Sequence, residues 1–351
     1  MLPYWTLVLI PSLFYRIRFK GQTKRERAKA AIGFFFILLF LLLALRASEI
    51  GKDLPNYRYY FNFYGGIEWN ELGSFSTEWG FIALNKAVAD FTDNFQWFLA
   101  ACAFLTVYPI ARVYKEEIED PVWTIALFIC MSTFIMLFSG LRQSIAMALG
   151  MLAFQCAKGH KFLPFLIVVA AATLFHRSAF ILLVIYPLYH AKITKKWLYV
   201  VIPCLVAVFV YNKQIFTFLT LFIEDYYQST ISETGAYGTL ILLILLSVYS
   251  FAVADETRLD DTTRGMRNIL LLSVALQMFA PLHTLAMRMN YYFLLFTPLL
   301  IPKIAAQSRP RYAQVVRLSR YVMIVFFFAY FFISCPKSNA LDTFPYKFFW
   351  E

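Results

Sequence analysis

Long apolar runs separated by short polar breaks recur from one end of the chain to the other. Their lengths suit helices in hydrocarbon, and they lack the strict apolar–polar alternation of barrel strands. The pattern predicts helices over roughly 2–17, 30–46, 96–112, 121–139, 142–157, 161–175, 178–190, 197–212, 236–254, 268–286, 289–303 and 320–335. Two segments interrupt it, 46–95 and 213–236, both polar to amphipathic. The expected fold is an all-α polytopic membrane protein of about twelve transmembrane helices, with residues 1–351 forming a single integral membrane domain.

Composition agrees with the pattern. Of 351 residues, 60% are hydrophobic and 15% charged, whereas soluble domains carry about 25% charged residues. Too little polar sequence is left for a separate soluble domain. The first run, Leu2 to Ile17, has no basic residue before it and its charges follow it, so a retained helix is expected rather than a cleaved signal. The cysteines Cys102, Cys130, Cys156, Cys204 and Cys335 form no CxxC pair, and four lie in apolar runs, which argues against a disulfide framework.

A net charge of +11 invites a nucleic-acid reading, but its distribution points to topology. If 16–29 is cytoplasmic, alternation makes 112–120, 158–161, 191–197, 255–267 and 303–320 cytoplasmic too. These segments hold 22 of the 32 Lys and Arg, as the positive-inside bias requires. Both termini then lie outside, together with the 46–95 and 213–236 loops. Arg142, Arg177 and Arg288 oppose the bias, each in a short outer turn between spans.

The stretch 162–189 has basic flanks at both ends, so a hairpin turning at His176–Ser178 fits better than one helix. Arms of about 14 residues reach only ~21 Å into a core ~30 Å thick, which would leave the turn in a recess. Ionisable groups at such depth are functional candidates. Arg142 and Arg288 offer planar donor forks to phosphate, or else snorkel to headgroups or pair with a carboxylate. Arg177 has the same two readings. His176, beside Ser178, is the best general-base candidate, against a helix-end histidine bonded to backbone. His160 and His190 fall in or beside cytoplasmic loops, and His283 at an outer end. The 46–95 loop mixes Asp53, Glu68, Glu71 and Glu78 with many Tyr, Phe and Trp; it suits sugar rings, or is an interfacial aromatic belt. The 215–230 stretch reads as an amphipathic surface helix. HExxH, P-loop and GxSxG motifs are absent.

The segments GKDLPNYRYYF (51–61), STEWGFIALNKAV (76–88), GLRQSIAMAL (140–149), LFHRSAFI (174–181) and MRMNYYFLLFTPLLIP (287–302) occur in an order that resembles the EpsG family, which is similar to Wzy-type bacterial polysaccharide polymerases. The likeness runs from about residue 30 to 305. It implies a GT-C-like glycosyltransferase of the bacterial inner membrane, working at the periplasmic face. Such an enzyme would join oligosaccharide units carried on undecaprenyl pyrophosphate, which serves as donor and acceptor. No cofactor and no essential metal are implied; a flippase and a chain-length regulator are the expected partners, and no nucleic acid.

The family's motif positions fall on Asp53, Tyr57, Glu78, Arg142, Gln143, His176, Ser178, Arg288 and Tyr292, with Tyr291 competing for the last place. Under this reading Arg142 and Arg288 bind pyrophosphate, His176 activates the acceptor hydroxyl, and Asp53 and Glu78 hold sugars or assist the base. Gln143, Tyr57, Tyr292, Ser178 and Arg177 are further substrate contacts. The rivals are a flippase or transporter of the same lipid-linked sugars, a ligase sharing the donor, and an O-acyltransferase.

Overall fold

A computed structural model describes residues 1–18, 20–220 and 237–351. The helices are α1 (Leu2–Arg16), α2 (Lys24–Ala44), α3 (Leu54–Gly65), α4 (Trp79–Ala89), α5 (Phe95–Glu117), α6 (Pro121–Cys130), α7 (Ser132–Ser139), α8 (Leu141–Lys158) and α9 (Phe162–Thr173). After a 3₁₀ stretch, Arg177–Val184, come α10 (Ile185–His190), α11 (Leu198–Val210), α12 (Asn212–Thr220), α13 (Tyr237–Val253), α14 (Asp261–Gln277), α15 (Thr284–Leu294), α16 (Thr297–Ala306), α17 (Ala313–Ile333) and α18 (Cys335–Ser338). Among the described residues the β-structure is limited to two isolated bridges. The fold is that of a polytopic helical membrane protein.

The sequence explains where helices start. Thr23 and Glu26 form a capping box ahead of α2. Asn94 caps α5, Asp260 caps α14, and Asp120 caps α6, whose first residue is Pro121. Each cap satisfies backbone N–H groups that a helix cannot pair itself.

Twelve full-length spans are not what the described residues show. Three stretches are long and apolar enough to cross a membrane, α2, α5 and Pro310–Ser338, or up to five if each of two bent pairs counts as one span. One pair is α6 with α7, bent by 64° at Met131; the other is Arg177–His190 with Lys195–Val210, bent by 120°. The reason is length. The 12 residues of α9 rise only ~18 Å, against ~30 Å of hydrocarbon. The expected amphipathic helix over 215–230 lies mostly outside the described residues; its first positions end α12.

The chain groups into two compact units, residues 1–183 with 318–351, and residues 184–317. In the first, α1, α5 and α6 pack on α2, and α8 on α5 and α9. Phe35, Phe36, Tyr114 and Phe128 meet there edge-to-face at 5.2–5.6 Å. Lipid tails are as apolar as these rings, so close packing and ring geometry, rather than escape from water, favour such contacts. Large apolar side chains of α17, including Leu318, Val325 and Phe326, remain exposed, as a lipid-facing helix requires. In the second unit α14 packs against α10, α13, α15 and α16.

Segments assigned to one side by charge come together within each unit. Lys158 pairs with Glu117, Arg320 with Asp120, and Arg25 donates to the Glu116 carbonyl. At the other end, Tyr4 donates to the Thr343 carbonyl, Gly51 N–H to that of Asp342, and Ala47 N–H to that of Lys347. In the second unit Arg267 forks onto Glu256 at 2.6 and 3.1 Å and donates to the Ile193 carbonyl. Opposite ends of the first unit should therefore face opposite sides. In a cysteine-free background, an impermeant maleimide applied to intact spheroplasts should label Glu68→Cys at once and Glu116→Cys only after permeabilisation. Immediate labelling of both would contradict the sorting.

Candidate functional site

Three of the five motif segments meet around one carboxylate. Glu78 precedes α4, and its carbonyl accepts the N–H groups of Phe81 and Ile82. Its side chain is 8% exposed. Arg142 Nη1 donates to Oε2 at 2.5 Å. His176 Nδ1 lies 3.4 Å from Oε1, which also accepts the backbone N–H of Arg177 at 3.2 Å. Arg142 and His176 keep 31% and 21% of their side chains open, so the cluster is a mouth rather than a sealed core.

Local structure puts these groups there. Arg142 is the second residue of α8, which starts after Gly140, so it sits at a helix start instead of the expected turn. Of the readings open to it, it pairs with a carboxylate. Its Nε is buried without a hydrogen-bond partner, and the guanidinium stands 5.5 Å over the Phe81 ring. Phe81 in turn meets Tyr57 of α3 edge-to-face at 5.4 Å. Arg142 also acts on the Tyr57 phenol, which is 6% exposed. The chain breaks at Leu174–His176 between α9 and the 3₁₀ stretch, where the hairpin turn is expected, but the second arm begins as 3₁₀ and turns α-helical only at Ile185. The Arg177 guanidinium donates to the Ser76 carbonyl, so this arginine braces the loop before α4.

Asp53 is tied elsewhere. Its N–H donates to Ser139 Oγ at 3.2 Å, and the Ser139 hydroxyl donates back to Oδ2 at 2.9 Å. It thus anchors α3 to the chain just before α8. Gln143 is buried in α8, and Ser178 is half-buried. Arg288 and Tyr292 belong to the second unit. Arg288 is exposed on α15, while Tyr292 is 1% exposed in that unit's core, with Tyr291 at 6%. His283 caps α15, its Nδ1 accepting the Leu285 N–H at 2.9 Å. Among the described residues no group of three or more His, Cys, Asp or Glu could hold a metal ion.

Gly80 is a requirement that residue types alone do not reveal. Its N–H donates to the Leu174 carbonyl at 2.8 Å, and a Cβ there would lie 2.8 Å from that oxygen and 3.0 Å from Leu174 Cβ. The glycine lets α4 touch the turn that carries His176. Ser139 and Phe81 were equally silent, since neither type signals a partner so distant in sequence.

Electrostatics follow from the contacts. Burial works against the charged form of Glu78. The His176 hydrogen bond, the Arg142 charge and backbone N–H groups outweigh it, holding the carboxyl at about 2 instead of 4.5. A folded-state pKa below the unfolded value stabilises above pH 4.5, and the benefit is lost as pH falls towards 2. Its upper bound is ~3 kcal/mol, from about 1.4 kcal/mol per pKa unit.

An all-helical membrane protein with this ion-pair and imidazole cluster at a helix start is the class defined so far. The EpsG family profile matches residues 29–348, and the chain belongs to that family. No curated protein and no solved structure matches it. Family membership makes it a polysaccharide-polymerase-like membrane protein.

Two outcomes check the geometry. Glu78→Gln should flatten the loss of thermal stability between pH 5 and pH 3 that the parent shows in detergent; an unchanged pH slope would mean the cluster is not ionised. Gly80→Ala should cost ~1–3 kcal/mol, because backbone must shift to admit the methyl. An unchanged melting temperature would contradict the close approach.

Proposed function

We propose that the chain is a polysaccharide polymerase of the GT-C-like type, joining oligosaccharide units carried on undecaprenyl pyrophosphate at the outer face of the bacterial inner membrane. The single observation behind this is that Glu78 touches both Arg142 and His176. Glu78 Oε1 stands 3.4 Å from Nδ1, and a carboxylate that closes on Nδ1–H would fix the imidazole tautomer and leave Nε2 to take a proton. The reading gives the residues distinct tasks. His176 Nε2 takes the proton of the acceptor hydroxyl. The hydroxyl oxygen bonds to the anomeric carbon of the donor sugar as that carbon's bond to the pyrophosphate oxygen breaks. Arg142 stabilises the charge gathering on the leaving pyrophosphate, a task that preorganised cations perform well in a water-poor site. Glu78 orients both, and Arg177 and Asp53 hold the loops that carry them.

This differs from a free phosphate clamp. Arg142 is already paired, so a pyrophosphate must share or take over its donors. The side chain stays 31% exposed, so the fork geometry leaves room for that. The test is turnover of the purified lipid-linked unit into a ladder of longer products. Arg142→Ala and His176→Ala should each lower the rate by about 10² or more, the usual loss for a base or a charge-stabilising donor. Full ladders from both variants would overturn the site. A single product joined to a different acceptor would favour the ligase, and no product from the unaltered chain with its own unit would overturn the function.

A further inference from the structure

A second feature of the first unit is a polar cleft of about 690 Å³, within the size range of small-ligand sites. Its walls come from three separate pieces of chain: the start of the 46–95 loop and α3, the turn into α5, and the residues around 347–351. None of its lining residues belongs to the Glu78 cluster. The walls are fixed in place. Phe349 N–H donates to the Leu45 carbonyl at 3.0 Å, Gln96 donates to the Ala44 and Arg46 carbonyls, and Arg58 donates to Ser48 Oγ at 3.3 Å. Preorganised walls lose little freedom when a ligand arrives.

The chemistry of the lining selects the ligand class. Glu49, Asp93 and Glu351 offer carboxylates, Arg58 and Lys347 offer cations, and Asn62 offers an amide with both donor and acceptor. Opposite signs interspersed at one cleft do not suit a polyanion or a polycation. They suit a ligand that presents many hydroxyls, each able to donate and accept. Phe349, half exposed, adds a flat apolar face, and beside it Phe348 stacks on Trp350 at 4.5 Å. Sugar rings carry both hydroxyl edges and C–H faces.

We propose that this cleft binds a stretch of uncharged glycan, separately from the Glu78–Arg142–His176 centre, and holds the chain during elongation. The ligand's identity rests on the polymerase reading; the cleft itself does not. The probe is a set of oligosaccharides of one to four repeat units, cut from the polymer that the producing strain secretes. They are titrated onto the purified full chain and followed by saturation-transfer NMR. Asn62→Ala, Asp93→Ala and Phe349→Ala change exposed side chains, and melting temperatures confirm that each variant is folded. Each should weaken binding about tenfold, or ~1.4 kcal/mol. In the turnover assay they should shift products to short lengths while the first condensation keeps its rate. Inorganic pyrophosphate should not compete.

Unchanged oligosaccharide binding in all three variants, or no binding by the unaltered chain, would overturn the cleft and leave the polymerase reading standing if turnover persists. Competition by pyrophosphate would overturn the cleft's independence of the reacting centre. Binding that depends on these residues in a chain with no turnover would overturn the polymerase reading and leave the cleft standing.

Discussion

A carboxylate taken out of water must be neutralised by a proton or satisfied by neighbours. For Glu78 the neighbours win. Removing an ion from water costs several kcal/mol, while a hydrogen bond to a charged group returns about 1.5–3 kcal/mol. One such bond would not suffice, and Glu78 accepts from Arg142 Nη1 and the Arg177 N–H, with the His176 imidazole 3.4 Å away. These groups come from two places far apart in sequence: the start of α8, and the turn that carries His176 and Arg177. Satisfying one buried charge therefore fixes three loops relative to each other. The Arg177 brace on Ser76 and the Gly80 contact with Leu174 close the same joint from its other side.

The cluster's position gives it its chemistry. A guanidinium paired to a carboxylate is a poor anion trap until a stronger anion arrives. A pyrophosphate carries more charge than Glu78, so it can draw donors from Arg142 and leave the carboxylate more fully to His176. Binding the donor would then raise the basicity of the imidazole that the acceptor needs. On the proposed reading, the pairing seen in the structure is the resting arrangement of the reacting centre. The proposed glycan cleft would add a place for the product to stay between rounds.

Much of the architecture was legible in the chain. Apolar runs marked the helices, and the Lys and Arg distribution anticipated which loops share an end, because both follow from the cost of placing charge and unpaired backbone in hydrocarbon. Span number was less legible. A break such as Met131, or a 3₁₀ arm such as Arg177–Val184, leaves hydropathy untouched while shortening the helix. For the site, Arg142 and His176 stood out as polar groups in short outer turns and Glu78 as one of several carboxylates of the 46–95 loop, yet their mutual pairing was invisible. Contacts 64 and 98 residues apart, Glu78 with Arg142 and with His176, have no local signature. Asp53 carried a sugar-contact expectation, and the structure bonds it to Ser139, a residue whose type gave no hint of a partner.

The central claim is that Glu78 works through His176 rather than on its own. A double-mutant cycle on turnover of the lipid-linked unit, with Glu78→Gln, His176→Ala and the pair, tests it most directly. If the carboxylate acts by orienting the imidazole, the double variant should be little slower than His176→Ala alone, the non-additivity expected of groups that act as a unit. Losses that simply multiply would mean that the two residues act independently, and would contradict the account.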